Sequence, residues 1–406
     1  MRKPLPGLRI AQVAPPMERV PPERYGGTER VVHELVLELL RRGHDVTTFA
    51  TGDSDVPGRL VVTAPRALRP SGYEGDPGPW FVQTQLEVLA RAGDFDVVHS
   101  HLEWTSLLLA RSTSVPVVST FHGRLDFDYA IRLLADPPPG LVAVSRSQAS
   151  AHPDVPFVVV PNGLTLRDAP FERRRGDDLC FVGRVAPEKG VVEAIEVARR
   201  SGRRLVIAAK IGTTGPEREY AEAVFRPALA AAGSLVEFIG EVDRTTRDAI
   251  VARSWASLMP GSWPEPFGLV AIESLACGTP VVARRVGALP EIVREGIDGF
   301  FGDDVQHLAF LLDRVRELDR LAIRQSVLER FSAARMTDRY EALYGELLAI
   351  REERARRILR PARLTGDGGR ESTAAVVEVA ARELAGRITS HPEAASPERA
   401  EPRATG

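Results

Sequence analysis

The chain has 406 residues, which at about 150 residues per domain predicts two domains with room for a tail. The formal net charge of -2 excludes a general nucleic-acid binder, because affinity for the phosphate backbone needs an excess of basic residues. Two cysteines, Cys180 and Cys277, exclude a disulfide scaffold, and the apolar runs around them predict buried thiols in a reducing cytoplasm.

The first part of the chain alternates short apolar runs with longer segments of helical spacing. Strands are predicted, in chain order, at residues 8–14, 45–50, 96–101, 116–120, 141–144 and 155–160, and helices at 28–42 and 81–92. Strands joined by helical crossovers form a parallel sheet that helices cover on both faces. This half therefore predicts a doubly wound α/β domain.

Residues 161–178 interrupt the alternation with turn-forming residues and an arginine run at 173–175, which predicts a linker with a solvated surface. The alternation then restarts, with strands at 179–182, 205–209, 236–239, 256–260 and 280–283. Helices are predicted at 190–201, 216–232, 245–253, 268–276, 305–330 and 333–357. Two similar halves predict two doubly wound domains, with small ligands at the carboxyl ends of the strands.

The segment Tyr25-Gly26-Gly27-Thr28-Glu29 follows the first strand and opens the first helix. Two glycines let the backbone approach a ligand closely, and the free amides of a helix N-terminus attract phosphate. A glycine pair before a helix also serves as an ordinary turn, so this segment by itself leaves both interpretations open.

Two cations follow the linker, Arg184 at the end of a predicted strand and Lys189 just before the next helix. Cations at the mouth of a sheet suit a diphosphate leaving group, whose charge grows as its bond breaks. The alternative is two surface cations. The chain uses arginine almost throughout, with lysine only at Lys3, Lys189 and Lys210. A lysine at a sheet edge therefore indicates a place for a compact point charge, with drift in residue usage as the alternative.

The strongest signal is a pair of carboxylates, Glu265 and Glu273, in the segment from Trp263 to Ala283. Two prolines and a glycine prevent a helix before Gly268, where a helix then begins with its free amides towards the cleft. Glu265 lies in the loop ahead of this helix and Glu273 lies inside it, so both can face one pocket. Glu265 is placed to meet a reacting group, and Glu273 to accept hydrogen bonds from a diol such as ribose. Two unrelated surface glutamates are the alternative.

Five motifs in this order, from about residue 10 to 348, resemble family 4 of the retaining glycosyltransferases: Gly26-Gly27-x-Glu29, Phe121-His122-Gly123, Pro161-Asn162-Gly163, Gly183-Arg184 with Lys189-Gly190, and Glu265 with Glu273. The resemblance implies the GT-B fold, an α/β architecture of two facing Rossmann-like doubly wound domains with a deep interdomain cleft. It also implies that the helix after Phe331 crosses back. The N-terminal acceptor-side domain would then be 1–162 plus about 333–357, and the nucleotide-sugar-binding domain 163–332. Residues 360–406 lie outside the resemblance and are predicted to be a largely flexible extension with a candidate helix at 371–388.

The resemblance implies roles for individual residues. Four would be catalytic: His122 and Glu265 at the transferred sugar, and Arg184 and Lys189 at the diphosphate. The donor-binding residues would be Gly26, Gly27, Lys210, Gly240, Val242, Phe267, Gly268, Leu269 and Glu273. The segment 238–242 would follow the nucleobase, and Glu273 would bind the ribose.

One position departs from the family pattern. Where the family often has a Gly-x-Gly-Pro turn over the base, this chain has Ala208-Ala209-Lys210-Ile211-Gly212. Residues 11–27 together with this lysine resemble a bacterial subgroup often labelled pteridine glucosyltransferases. Lys210 would contact base, phosphate or acceptor, which leaves the nucleobase open.

The resemblance implies a hexosyltransferase that moves a hexosyl group from a nucleotide diphosphate sugar to an acceptor hydroxyl, with retention. The acceptor would be a small molecule, a glycan or a lipid, the last with weak peripheral membrane contact. The alternatives are a nucleotide-sugar epimerase or a phosphorylase on the same fold, or a non-catalytic sugar-nucleotide-binding module. No apolar stretch approaches the ~20 residues of a membrane span, which predicts a cytoplasmic protein.

No metal and no other cofactor is predicted. Three Asp-x-Asp pairs, a metal-binding pattern in the other main glycosyltransferase fold, occur in the chain: Asp53/Asp55, Asp94/Asp96 and Asp126/Asp128. Three copies indicate chance, and two cations are available for the diphosphate. His99 and His101 would face one side of a strand, but no further ligand accompanies them.

Overall fold

The computed structural model describes residues 7–24, 26–212 and 214–359. One compact unit, Met1–Arg354, contains both sheets, and the second unit is Ala355–Gly406. The described part of the second unit is the end of the last helix, so the predicted extension at 360–406 lies outside the described residues. Among the described helices, none is both long enough and apolar enough to cross a bilayer.

The first sheet, as far as the chain is described, has seven parallel strands: β1 (Arg9–Val13), β2 (Asp45–Thr51), β3 (Arg59–Ala64), β4 (Val97–Ser100), β5 (Val117–Phe121), β6 (Leu141–Ala143) and β7 (Val158–Val159). Their order is β3-β2-β1-β4-β5-β6-β7. The central strands are buried apolar runs, as a sheet covered on both faces requires. The accompanying helices are α1 (Gly27–Arg41), α2 (Gly78–Arg91), α3 (Ser106–Ser112), α4 (Asp128–Leu133) and α5 (Arg146–Ala149).

The second sheet repeats this arrangement, with described strands β8 (Leu179–Val185), β9 (Leu205–Ile211), β10 (Val236–Phe238), β11 (Ala256–Met259), β12 (Val281–Ala283) and β13 (Gly299–Phe301). Their order is β10-β9-β8-β11-β12-β13, again with parallel pairing. The helices that follow are α6 (Val191–Ser201), α7 (Gly215–Tyr220), α8 (Arg226–Ala232), α9 (Arg244–Arg253), α10 (Leu269–Ala276), α11 (Leu289–Ile292), α12 (Val305–Leu311), α13 (Arg320–Arg330) and α14 (Ala333–Leu359). The repeated strand order confirms the predicted fold class of two Rossmann-like sheets.

The prediction of one helix over residues 305–330 is wrong. A 3₁₀ turn at Arg314–Glu317 separates α12 from α13. The carboxylate of Asp319 accepts the amide hydrogens of Leu321 and Ala322, at 2.8 and 3.3 Å, and thereby starts a new helix. Helical spacing continues across the break, which is why the pattern alone did not reveal it.

The arginine run of the linker is only partly solvated. Arg173 and Arg174 are exposed, but the guanidinium of Arg175 donates to the carbonyl oxygens of Val315, at 2.6 Å, and Leu318. Burial lowers the pKa of Arg175. This side chain therefore ties the linker to the turn between α12 and α13.

The last helix, α14, packs two fully buried tyrosines against the first sheet. The Tyr344 hydroxyl lies 2.7 Å from Nδ1 of His99, and the Tyr340 hydroxyl lies 3.1 Å from Oγ1 of Thr120. Helix α14 thus contacts β4 and β5, although it follows the second sheet in the chain.

Candidate active site

Each sheet has one place where the strand order reverses, between β1 and β4 and between β8 and β11. Loops that leave the carboxyl ends of such strands diverge to opposite faces and leave a crevice between them. Loops from both crevices line one cavity of about 690 Å³. This volume falls within the range usual for small-molecule sites.

All the predicted site residues but one line this cavity: His122, Arg184, Lys189, Glu265, Gly26, Gly27, Lys210, Val242, Phe267, Gly268, Leu269 and Glu273. The exception is Gly240, which does not line it. Gly240 has a φ of 75° and forms the turn after β10 that brings the next two residues, Glu241 and Val242, onto the cavity wall.

Two glycine-led helix starts meet at the cavity. Gly26 has a φ of 152°, and a Cβ there would lie 2.6 Å from Cβ of Pro22. A Cβ on Gly27 would lie 3.2 Å from Cδ1 of Leu269, which belongs to the second sheet's helix α10. Gly268, with a φ of 109°, caps that helix. The helices α1 and α10 therefore begin close together, and the amides of a first helical turn have no partner within their own helix.

The cations predicted for the diphosphate are held by carboxylates. Nζ of Lys189 is hydrogen-bonded to Oε1 of Glu265, and Arg184 pairs with Glu188 at 3.0 Å and with Glu217. The side chains of Lys189, Glu265 and Arg184 remain 22%, 20% and 28% exposed, so a ligand can reach them. A phosphate group in the cavity would compete with these carboxylates for the cations.

Glu273 joins the two halves of the site. Its carboxylate accepts from Arg30 of α1 and, at 2.7 Å, from Arg247 of α9. Burial, together with the nearby cations Arg244 and Arg247, lowers the pKa of Arg30 to about 9. Sequence analysis missed both arginines. Each lies in the first turn of its helix, where a cation is unfavourable because it opposes the helix dipole. That unfavourable placement could have identified both arginines as candidate site residues.

His122 lies on a loop shaped by Glu103. The Glu103 carboxylate accepts the amide hydrogens of His122 and Gly123 at 3.0 and 3.1 Å, and Glu103 itself has a left-handed φ of 54°. Burial raises the pKa of Glu103 to about 7 and lowers the pKa of His122 to about 4. His122 is therefore a neutral imidazole at neutral pH. Sequence analysis missed Glu103, because only the folded loop brings it beneath those amides.

The three Asp-x-Asp pairs are engaged elsewhere and do not line the cavity. Asp53 accepts the amide hydrogen of Ala67, and Asp96 pairs with Arg9 at 2.9 Å. Asp126 pairs with Arg124. In the part of the chain that the structure describes, no group of three or more His, Cys, Asp or Glu side chains could hold a metal ion.

Comparison with known proteins finds two family models that cover most of the chain. The model described as "Glycosyltransferase Family 4" matches residues 25–168, and the model described as "Glycosyl transferases group 1" matches residues 165–325. A D-inositol 3-phosphate glycosyltransferase of Frankia alni is 31% identical over 364 residues, 74% of this chain and 88% of the relative. A glycogen synthase of Mycobacterium tuberculosis is 28% identical over 337 residues, 69% of this chain and 79% of the relative.

Solved structures show the same architecture. AviGT4, a glycosyltransferase involved in avilamycin A biosynthesis, superposes with a TM-score of 0.62 at 28% identity, over 84% of this chain and 98% of AviGT4. Anabaena Alr3699/HepE in complex with UDP and glucose superposes with a TM-score of 0.64 at 18% identity, over 84% of this chain and 99% of that protein. At that lower identity the likeness extends to the fold alone.

Proposed function

This chain belongs to glycosyltransferase family 4, and on that premise we propose that it transfers a hexosyl group from a nucleotide diphosphate sugar to an acceptor hydroxyl, with retention and without a metal ion. One observation carries the proposal. Two cations, Arg184 and Lys189, and two carboxylates, Glu265 and Glu273, line one cavity between the carboxyl ends of two Rossmann-like sheets. That combination offers both charge for a diphosphate and acceptors for a diol.

The donor diphosphate would bind to Lys189 and Arg184. In the free protein these cations are neutralised by Glu265, Glu188 and Glu217. Phosphate oxygens would replace some of these carboxylates as partners of the two cations. The attraction between the cations and the phosphate would then be strongest when negative charge develops on the leaving group. Donors aimed at developing charge stabilise the transition state more than the ground state.

The sugar would lie between Glu265 and His122. Release from Lys189 would leave the Glu265 carboxylate next to the sugar, where it can position hydroxyls and ease positive charge at the anomeric carbon. Neutral His122 can exchange hydrogen bonds with a sugar hydroxyl without adding charge. For the retaining step, we propose a same-face displacement in which the leaving phosphate takes the proton of the acceptor hydroxyl.

The remaining predicted residues would hold the nucleoside. Glu273 would accept the ribose hydroxyls, and Lys210, Glu241 and Val242 would lie near the base. Residues 163–332 would form this donor-binding domain. Residues 1–162 with about 333–357 would form the acceptor-side domain.

The donor is tested by thermal shift with UDP-, GDP-, ADP- and TDP-sugars, because a ligand that binds only the folded state raises its stability. The donor that binds is then incubated with acceptors suggested by the relatives, inositol phosphates and glucans. The anomeric configuration of the product is read by NMR. Binding of no nucleotide sugar would contradict the proposal, and an inverted product would contradict the retaining step.

The absence of a metal requirement has its own test. Turnover is expected to be retained in full in excess chelator, because Arg184 and Lys189 supply the positive charge. Complete loss of turnover in chelator, restored by a divalent cation, would overturn this part of the proposal.

A further inference from the structure

A chain of buried polar side chains runs from the cavity wall into the first sheet. Nε2 of His122 lies 2.9 Å from Nδ1 of His101, and Nε2 of His101 lies 3.1 Å from Oε1 of Gln12. On its other side, the Gln12 amide nitrogen lies 3.3 Å from both the Tyr344 hydroxyl and Nδ1 of His99. Gln12, His99 and His101 are fully buried, so each of these polar atoms depends on its protein partners.

The chemistry of these groups fixes the direction of each hydrogen bond. An amide oxygen only accepts, so Nε2 of His101 must donate to Gln12. Burial keeps the pKa of His101 well below its ordinary value, and a neutral imidazole with a proton on Nε2 has an acceptor at Nδ1. His122 must therefore donate from its own Nε2. Its other ring nitrogen, Nδ1, is then left as an acceptor.

In the structure, the Gln12 amide has its oxygen towards His101 and its nitrogen towards Tyr344. Its nitrogen donates to the Tyr344 hydroxyl, which in turn donates to Nδ1 of His99 at 2.7 Å. Nε2 of His99 donates to Oγ1 of Thr120 at 2.8 Å, and the Thr120 hydroxyl can donate to that of Tyr340 at 3.1 Å. If the amide were rotated, its N–H groups would face His101. Each donor and acceptor between Gln12 and His122 would then exchange roles. One side-chain amide thus decides which nitrogen of His122 carries the proton.

We propose that Gln12 and His101 are positioning residues that hold His122 in its Nε2–H tautomer, so that Nδ1 accepts a hydrogen bond from a hydroxyl of the transferred sugar. The role of Nδ1 rests on the proposed function. The tautomer does not, because the contacts that set it exist in the free protein.

The first test is the ¹⁵N spectrum of the imidazole nitrogens in the free, full-length protein, which distinguishes protonated from unprotonated ring nitrogens. Wild-type protein is expected to show His122 protonated at Nε2 and unprotonated at Nδ1. A His122 protonated at Nδ1 would overturn the proposal outright, whether or not a nucleotide sugar binds.

The second test is Gln12→Met, which removes the amide while roughly preserving its volume. His122 is expected to lose its single Nε2–H form, and kcat is expected to fall about tenfold with a smaller change in the donor KM, as when the partner that orients a functional histidine is removed. An unchanged His122 tautomer in Gln12→Met would overturn the proposal.

Tyr340→Phe is the matched control. It also removes one buried hydrogen bond of the chain, but it leaves the contacts among Gln12, His101 and His122 intact. In this variant the His122 tautomer and the turnover are expected to match wild type. A loss of kcat equal to that of Gln12→Met would show a merely structural effect and overturn the proposal. If Gln12→Met fails to fold, the wild-type spectrum still decides. Failure of every donor to bind would refute the proposed function and leave the tautomer result standing.

Discussion

The two walls of the cavity differ in the surroundings of several ionisable side chains, which are buried on one wall and are ion-paired and partly exposed on the other. On the first-sheet wall, burial shifts the pKa of His122 to about 4 and those of Glu29 and Glu103 to about 7, which favours the neutral form of each group. On the second-sheet wall, Lys189 and Arg184 form ion pairs with carboxylates and remain partly exposed. Paired, accessible charges suit an anionic diphosphate, and neutral hydrogen-bonding groups suit a sugar. Under the proposed function, the two walls would therefore divide the donor between them, the diphosphate on one wall and the sugar on the other.

The largest effect is expected from removing charge on the second-sheet wall. Lys189→Met should lower turnover by ~10²-fold or more, because it removes a donor aimed at the leaving group. Steady-state kinetics with the donor identified by thermal shift measure this.

Arg204→Met is the control for this change. Arg204 is also ion-paired, with Asp178 and Glu237. It precedes β9, however, and so lies at the amino ends of the strands, away from the cavity at their carboxyl ends. Its turnover should match wild type. Near-wild-type turnover in Lys189→Met would remove the distinction between the two walls.

A smaller effect is expected where the walls meet. Glu273→Gln should lower the free energy of unfolding by about 2 kcal/mol, because Arg30 loses this charged acceptor and Arg247 is left with Asp248. Urea denaturation without ligand measures this. The control Glu237→Gln removes an exposed carboxylate and should cost no more than about 0.5 kcal/mol. Equal losses in the two variants would contradict a special role for Glu273 in joining the sheets.

A further effect concerns the first-sheet wall and depends on pH. The pKa of Glu29 is raised to about 7 by burial, so between pH 5 and pH 7 the unfolded chain loses this proton while the folded protein keeps it. Wild-type protein therefore loses stability as pH rises through this window. Glu29→Gln does not titrate, and its stability relative to wild type should rise by up to about 1.4 kcal/mol per pH unit. If the free energies of unfolding of wild type and Glu29→Gln changed in parallel from pH 5 to pH 7, this prediction would be contradicted.

Sequence analysis predicted the central strands and the edge strands β7 and β10, but it missed the edge strands β3 and β13, for a physical reason. Central strands such as β1 and β8 are continuous apolar runs because helices cover both of their faces. β3 is half exposed, and β13 is a three-residue strand that begins with Gly299, so neither shows a strong pattern. The same limit explains the missed break at Asp319, since a side-chain cap changes no hydrophobic spacing.

For the site, motif order was more informative than residue type. Glycines before a helix and cations at strand ends predicted which residues would face a cleft, and all but Gly240 line it. Arg30 and Glu103 were missed, because their roles come from partners far away in the chain. Arg30 meets Glu273, and Glu103 meets the amides of His122 and Gly123.

By itself the sequence determined the alternation of strands and helices, the repeat of that alternation, and the motifs that follow particular strands. These are local properties, since hydrophobic period and turn residues act over a few positions. Only the tertiary structure decided which charges neutralise one another, which acids and imidazoles lie far from water, and which side chains contact the ring of His122. Pairing and burial join residues as distant as Gln12 and Tyr344, and no pattern along the chain encodes the contact between them.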